Sequence, residues 1–233
     1  MSGHSHWAGI KHKKGLADAK RSQVFSKLAK EITIAAKEGA DPNSNSRLRS
    51  ILEKAKSENM PSDNIERAIK KAVGEDASQL QELLIEAYGP EGIAILISAI
   101  TDNRNRTIGE IKQILQKNQG KMVEGGGVQW LFERKGVLSI DSPEKKEKIE
   151  LLAIENGADD FYWRDASIDI YTSPANMAEL KEALAKQGVA GSTSLDWIPK
   201  ERVVVSESAI KAAHALFESL DAHDDVQDIY STL

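Results

Sequence analysis

The chain of 233 residues contains no cysteine, which excludes a disulfide framework, a thiolate metal site and a cysteine nucleophile. It also lacks any apolar run near the roughly 18 residues that a membrane-spanning helix needs. The best run, Ile93 to Ile100, is only strand-length. The opening residues are polar and basic, with no apolar stretch behind them, unlike a secretory leader. These absences point to a reducing cytoplasm and no membrane partner. The common enzyme signatures are missing too. Gly120-Lys121 lacks the earlier glycine and the following Ser or Thr of a P-loop. H-E-x-x-H, G-x-S-x-G and G-x-G-x-x-G do not occur. His4, His6 and His12 form the one histidine cluster, without a fixed scaffold or a fourth ligand for zinc. The sequence therefore leads to the expectation of a non-enzyme with no cofactor, no metal and no small-molecule substrate.

At 40% hydrophobic and 29% charged residues, the chain is apolar enough to fold and too polar to be embedded in lipid. Its net charge of −5 conceals a division. Residues 1–74 carry a net +7 and the remainder a net −12. A basic segment joined to an acidic body suggests a polyanion-binding part on a scaffold that would itself be repelled. The alternative is that both parts merely solubilise the chain.

The first 15 residues have three glycines and no helical period, and read as a tail that orders on binding. Phe25, Leu28, Ile32 and Ala35 then fall on one helical stripe, ended by Gly39. A second helix is expected near Ser46, with Leu48, Ile51, Leu52 and Ala55 inward. A third is expected from Asp63, with Glu66 at capping-box spacing. Residues 1–78 thus read as a basic tail and a three-helix bundle. An α+β pattern follows: strands at 83–88 and 93–100, a helix capped by Thr107 with Glu110, and a strand at 128–133 after a glycine-rich stretch. Residues 136–199 run β-α-β-β-α-β, the ferredoxin-like order. The elements after 200 are too few for a domain. They are expected to return and complete the sheet of residues 79–135, so that the ferredoxin-like domain is inserted in a discontinuous α+β domain.

The tail carries the clearest binding signal. Trp7 sits beside Lys11, His12, Lys13 and Lys14, joining a stacking face to phosphate-neutralising charge. Lys20, Arg21 and Lys27 extend the charge along the first helix, Arg47 and Arg49 along the second, and Arg67 and Lys70 along the third. Arg104 and Arg106, in the run Thr101–Thr107, either bind phosphate or pair with nearby carboxylates. Gly125, Gly126 and Gly127 read as a loop and a possible contact surface, with backbone amides open to a phosphate. Asp224-Asp225 reads as a solvated turn. Trp130, Phe132, Trp163 and Trp197 read as core or interdomain packing. Together these residues point to nucleic acid as the partner, DNA or RNA. A protein-interaction adaptor is the competing reading.

Several blocks spread over nearly the whole chain resemble the YebC family. They are the opening from Gly3 to Gly15, Asp18–Arg21, Asn59-Met60-Pro61, Asp63–Ile69, Tyr88-Gly89-Pro90, Thr101–Thr107, Leu131–Gly136 and Asp224–Gln227. The resemblance implies a helical domain followed by two α+β domains, one inserted in the other. It implies a regulator of gene expression, since the family is usually described as probable DNA-binding transcriptional regulators. The family also includes a mitochondrial translational activator, and bacterial members are linked to the ribosome and to translation of proline-rich stretches. Ribosomal RNA is therefore an implied alternative to DNA. His6 stands where a lysine is usual, and Gly126-Gly127-Val128 where Gly-Ser-Val is common.

Overall fold

The structure is a computed structural model that describes residues 18–73, 79–141, 146–163 and 167–233. Helices α1 (Asp18–Lys37), α2 (Ser46–Ser57) and α3 (Ser62–Ala72) form the N-terminal bundle. Leu28, Ile32 and Ala35 of α1 pack on Leu48 and Ala55 of α2 and Ala68 of α3, which is the stripe that the sequence spacing sets. One buried amide joins the first two helices. Asn45 accepts from the Leu48 N–H at 2.9 Å, and its own NH₂ donates to the carbonyls of Ala35 and Gly39 at 2.8 Å each. The capping box expected at Asp63 does not form. The helix starts behind Pro61, whose carbonyl accepts from Asn64 and Ile65, and no side chain caps it. Asp63 remains in the first turn, where the helix dipole favours its charge.

The chain continues as β1 (Gln81–Tyr88), β2 (Ala94–Thr101), α4 (Arg104–Lys117) and β3 (Lys121–Val123). The expected strand at 128–133 is instead a 3₁₀ turn, Gln129–Leu131, leading directly into β4 (Phe132–Asp141). Strand β4 starts ahead of the expected boundary at 136 because its ladder with β7 (Ser192–Pro199) already holds at Phe132, opposite Pro199. Gly136 does not interrupt it. Met177 packs against this glycine, 2.9 Å from where a Cβ would sit. Between those strands lie α5 (Lys146–Glu155), β5 (Asp160–Trp163), β6 (Ser167–Thr172) and α6 (Met177–Lys186). The chain closes with α7 (Glu207–Asp221) and β8 (Val226–Ser231).

Two four-stranded antiparallel sheets result, ordered β3-β1-β2-β8 and β5-β6-β4-β7. The second is the ferredoxin-like arrangement, with α5 and α6 on one face over Leu138, Ile140, Ile168 and Ile170. In the first, alternation sends Leu83, Ile85, Ala87, Ile95, Ile97 and Ala99 to the face covered by α4 and α7. Strand β8, after the insertion, pairs with β2, so the first α+β domain is discontinuous. The opposite face meets the insertion through an apolar seam of Ala94, Leu96, Val128, Phe132 and Tyr230, with Trp197 at its margin. The bundle is attached differently, by charge. Lys27, Lys30, Lys37 and Arg47 reach polar atoms of the first α+β domain, and Lys181 of α6 pairs with Glu53 of α2.

Candidate nucleic-acid interface

The cations singled out by the sequence divide into two sets. Three are engaged inside the molecule. Lys27 is 4% exposed and donates to the Asp221 backbone carbonyl at 2.7 Å and to its carboxylate at 3.0 Å. Arg47 bridges Glu38 and Glu82. Arg106 donates to Asp102 at 3.0 Å and to Asp225 at 2.8 Å. Lys27 and Arg47, read as phosphate-facing, instead fasten one element to another, and Arg106 takes the carboxylate pairing that the sequence left open beside phosphate. The reason is tertiary: α1, β1 and the α7–β8 corner are remote in sequence and adjacent in space. Arg21, Arg49, Lys70 and Arg104 form the other set, exposed and without a partner among the described residues. Arg67 is exposed and bonded only within α3, to the Asp63 carbonyl and to Asn64. Trp7, Lys11, His12, Lys13 and Lys14 lie outside the described residues, as does the side chain of Lys20.

Asp225 is the centre of the first set. The solvated turn expected at Asp224-Asp225 is half wrong: Asp224 is exposed, but Asp225 is 4% exposed. Its Oδ1 accepts from Lys30 at 2.6 Å, and its Oδ2 accepts from Arg106 at 2.8 Å and from the Thr107 hydroxyl at 2.7 Å. Burial alone would raise its pKa. The hydrogen bonds from Lys30, Thr107 and Arg106 reverse this and hold the carboxyl well below the usual aspartate range. Thr107 is therefore not the helix cap. Asn103 takes that role, accepting from the Arg106 N–H at 3.1 Å, and Thr107 faces the buried carboxylate. Glu110, the expected capping partner, lies 2.8 Å from His223 Nε2. His223 Nδ1 accepts the Asp225 N–H, which assigns the proton of the neutral ring to Nε2.

The glycine loop is also already engaged. Glu86 of β1 is 5% exposed and accepts the amides of Gly126 at 2.6 Å, Val128 at 2.7 Å and Gln129 at 2.8 Å. Burial raises the pKa of Glu86, but the amides outweigh it and hold the carboxyl below its ordinary value. The amides read as open to a phosphate thus hold an internal carboxylate. Gly126, at φ +87°, supplies the turn. Gly127 packs on Val123, 2.8 Å from where a Cβ would sit. Gly125 and Gly126 remain exposed as a surface. Beside them Trp130 is 64% exposed, its indole N–H donating to the Gly127 carbonyl at 3.2 Å. The expectation that Trp130 packs in a core is corrected, because the 3₁₀ turn faces it outward whereas Phe132 and Trp197 enter the interdomain seam.

A groove of about 750 Å³ separates the bundle from the first α+β domain. Its walls come from α1, α3, the start of α4 and the α7–β8 corner, and they include Ser22, Phe25, Lys30, Arg67, Lys71, Asp102, Arg106 and Asp225. Lys30 and Arg106 are balanced by Asp102 and Asp225, while Arg67 and Lys71 have no carboxylate partner among the described residues. The sequence places Phe25 only in the bundle stripe and Lys71 only among the cations of the third helix, with nothing to join them. Only the packing of α1 against α3 brings them together.

The sequence pattern of the TACO1/YebC N-terminal domain matches residues 5–75, and that of the TACO1/YebC second and third domains matches residues 80–233. The chain belongs to the TACO1/YebC family. A "probable transcriptional regulatory protein" of Pseudothermotoga lettingae is 45% identical over 235 residues, covering 99% of this chain and 93% of the relative. One of Natranaerobius thermophilus with the same name is 47% identical over 238 residues, covering 99% and 95%. A crystal structure of a conserved hypothetical protein from Aquifex aeolicus is similar at a TM-score of 0.89 and 40% identity, covering 97% of this chain and 96% of that one. The YebC fold, a helical domain with one α+β domain set inside another, is thus shared along the chain. Among the described residues of this YebC member, no helix is long and apolar enough to cross a membrane, and no group of three or more His, Asp or Glu could hold a metal.

Proposed function

We propose that this chain is a nucleic-acid-binding regulator of gene expression that works by binding, with the tail and bundle as the binding part. The observation that carries the reading is the division of charge together with its exposed remainder. The N-terminal segment holds a net +7, and Arg21, Arg49 and Lys70 stand on the bundle surface without an internal partner among the described residues. The names of its relatives support a regulator. RNA is the partner we favour over DNA, with ribosomal RNA as the leading candidate. Backbone-tracking cations are spread over three short helices, with no helix composed for reading a major groove.

Crosslinking by ultraviolet light in cells, with sequencing of both the RNA and the DNA attached to the tagged protein, tests this. Enrichment of ribosomal RNA is the expected result and would make the chain a translation factor. Peaks at a few promoters without ribosomal RNA would support a DNA-binding regulator and overturn the choice of RNA. Recovery of neither, above a Trp7→Ala variant with Lys11, Lys13 and Lys14 changed to Glu, would overturn the nucleic-acid reading. The adaptor would then lead, favoured by the internal pairing of Lys27, Arg47 and Arg106.

A further inference from the structure

We propose that the groove between the bundle and the first α+β domain holds one unpaired nucleotide of a single-stranded segment. Its phosphate lies against Arg67 and Lys71, and its base lies on Phe25. The inference rests on the nucleic-acid reading and adds to it the form of nucleic acid bound.

Three observations carry it. The first is charge. The two acids of the groove are already satisfied, Asp225 by Lys30 and Arg106, and Asp102 by Arg106. Arg67 uses its Nε and one terminal nitrogen on neutral acceptors of its own helix, which fixes the guanidinium plane without neutralising it. Lys71 has no partner among the described residues. Two uncompensated positive charges therefore share one concave wall, the arrangement a phosphate group fits.

The second is an aromatic wall in the same groove. Phe25 is half-buried: it packs against the bundle core and also lines the groove. An aromatic ring and cations lining one groove are the combination that holds bases in single-stranded binders. The third is size. At about 750 Å³ the groove is in the size range of ligand clefts, and it is open to solvent. A base still stacked in a duplex has no free face for Phe25, so the site selects unpaired nucleotides. Ser22 and Ser26, exposed on the same wall, add hydroxyls within the groove.

The test uses the full chain and short fluorescent oligonucleotides: single-stranded RNA, single-stranded DNA of the same sequence, and the corresponding duplex, read by anisotropy at low salt. The wild type is expected to bind a single strand more tightly than the duplex. Tighter binding of the RNA strand would identify RNA as the source of the nucleotide. The double variant Arg67→Glu, Lys71→Glu should lose about tenfold or more in single-strand affinity. Phe25→Leu keeps an apolar side chain in the core margin but removes the ring. It should lose about fivefold or more on single strands and leave duplex affinity unchanged. Thermal melts identify any variant that fails to fold, and the Arg67/Lys71 pair, both exposed, keeps the test open if Phe25→Leu does. If the wild type binds single strands and both folded variants bind equally well, the groove is not the site, while the nucleic-acid reading stands. If the wild type binds neither single strand nor duplex, both the reading and this inference fall.

Discussion

Glu86 and Asp225 are single carboxylates that each organise a region, and their burial makes them sensitive to substitution and to acid. Glu86→Gln keeps the shape, but an NH₂ that cannot accept replaces one of the two accepting oxygens, so the amides on that side lose their acceptor and the others keep a weaker, uncharged one. The expected cost is about 2 kcal/mol, read as a shift in a urea unfolding curve, with faster amide exchange at Gly126, Val128 and Gln129. The pH dependence has a definite sign. The folded-state pKa of Glu86 is depressed, so its contribution is complete above the ordinary glutamate value of about 4.5. It is lost as the pH falls through the lower folded value. Amide protection in the loop should therefore hold at pH 6 to 7 and collapse in acid, and the Gln variant should lack this dependence. Asp225→Asn removes the counter-charge of Lys30 and one of the two carboxylates on Arg106. It should cost about 3 kcal/mol in equilibrium denaturation, because the cations are left facing a buried neutral group. A cost near zero would mean that solvent already screens the site.

Elements in this chain are joined by two kinds of contact, and the difference predicts how they separate. The two sheets share an apolar seam, whereas α1 is held to the α7–β8 corner by Lys27 on Asp221 and Lys30 on Asp225. Changing both lysines to Ala should loosen the bundle without melting either sheet. Small-angle scattering should then give a larger radius of gyration, growing with added salt, while the sheets keep their amide protection. An unchanged radius would show that the remaining contacts suffice. Helix α5 ends on Gly157, at φ +80°, where a Cβ would lie 2.7 Å from the Asn176 amide nitrogen. Gly157→Ala combines left-handed strain with that clash and should destabilise the inserted domain by about 1–2 kcal/mol in a thermal melt. Element identity was largely legible in the sequence because it rests on local spacing: the stripe Leu28-Ile32-Ala35 appears as read, and the strands expected at 83–88 and 93–100 are β1 and β2. The errors fell in the glycine-rich stretch, where β3 and a 3₁₀ turn replace an expected loop and strand, and at helix starts. Asp63 and Thr107 are plausible caps by spacing, yet Pro61 and Asn103 occupy those places, because a cap is chosen by the turn that precedes the helix.

At the scale of the whole molecule, an acidic body and a basic N-terminal segment imply that the proposed nucleic-acid binding depends on salt. Nucleic-acid affinity should fall linearly on a log–log plot against salt, losing about one unit of slope for each phosphate contact removed. Arg49→Ser with Lys70→Ser removes two exposed cations that fasten nothing among the described residues. It should flatten the slope by about two while leaving the melting temperature unchanged. Arg47→Ser with Lys27→Ser should do the opposite, lowering stability before it changes the slope, since these residues are engaged inside the molecule.

By itself the sequence determined the family, most of the helices and strands, and the split between a basic segment and an acidic remainder, because motifs, periodicity and charge are properties of neighbouring residues. It also determined the order β-α-β-β-α-β, and with it the sheet order of the inserted domain. Only the tertiary structure decided which charges are available. Lys27, Arg47 and Arg106 look like Arg49 and Lys70 in the chain, but their partners Asp221, Glu82 and Asp225 lie 194, 35 and 119 residues away. Glu86 meets its amides some 40 residues on. Phe25 and Lys71 share a groove only because α1 and α3 pack side by side. Electrostatic and hydrogen-bond energies depend on distance in space, and spacing in sequence fixes that distance only within a helix, a hairpin or a turn.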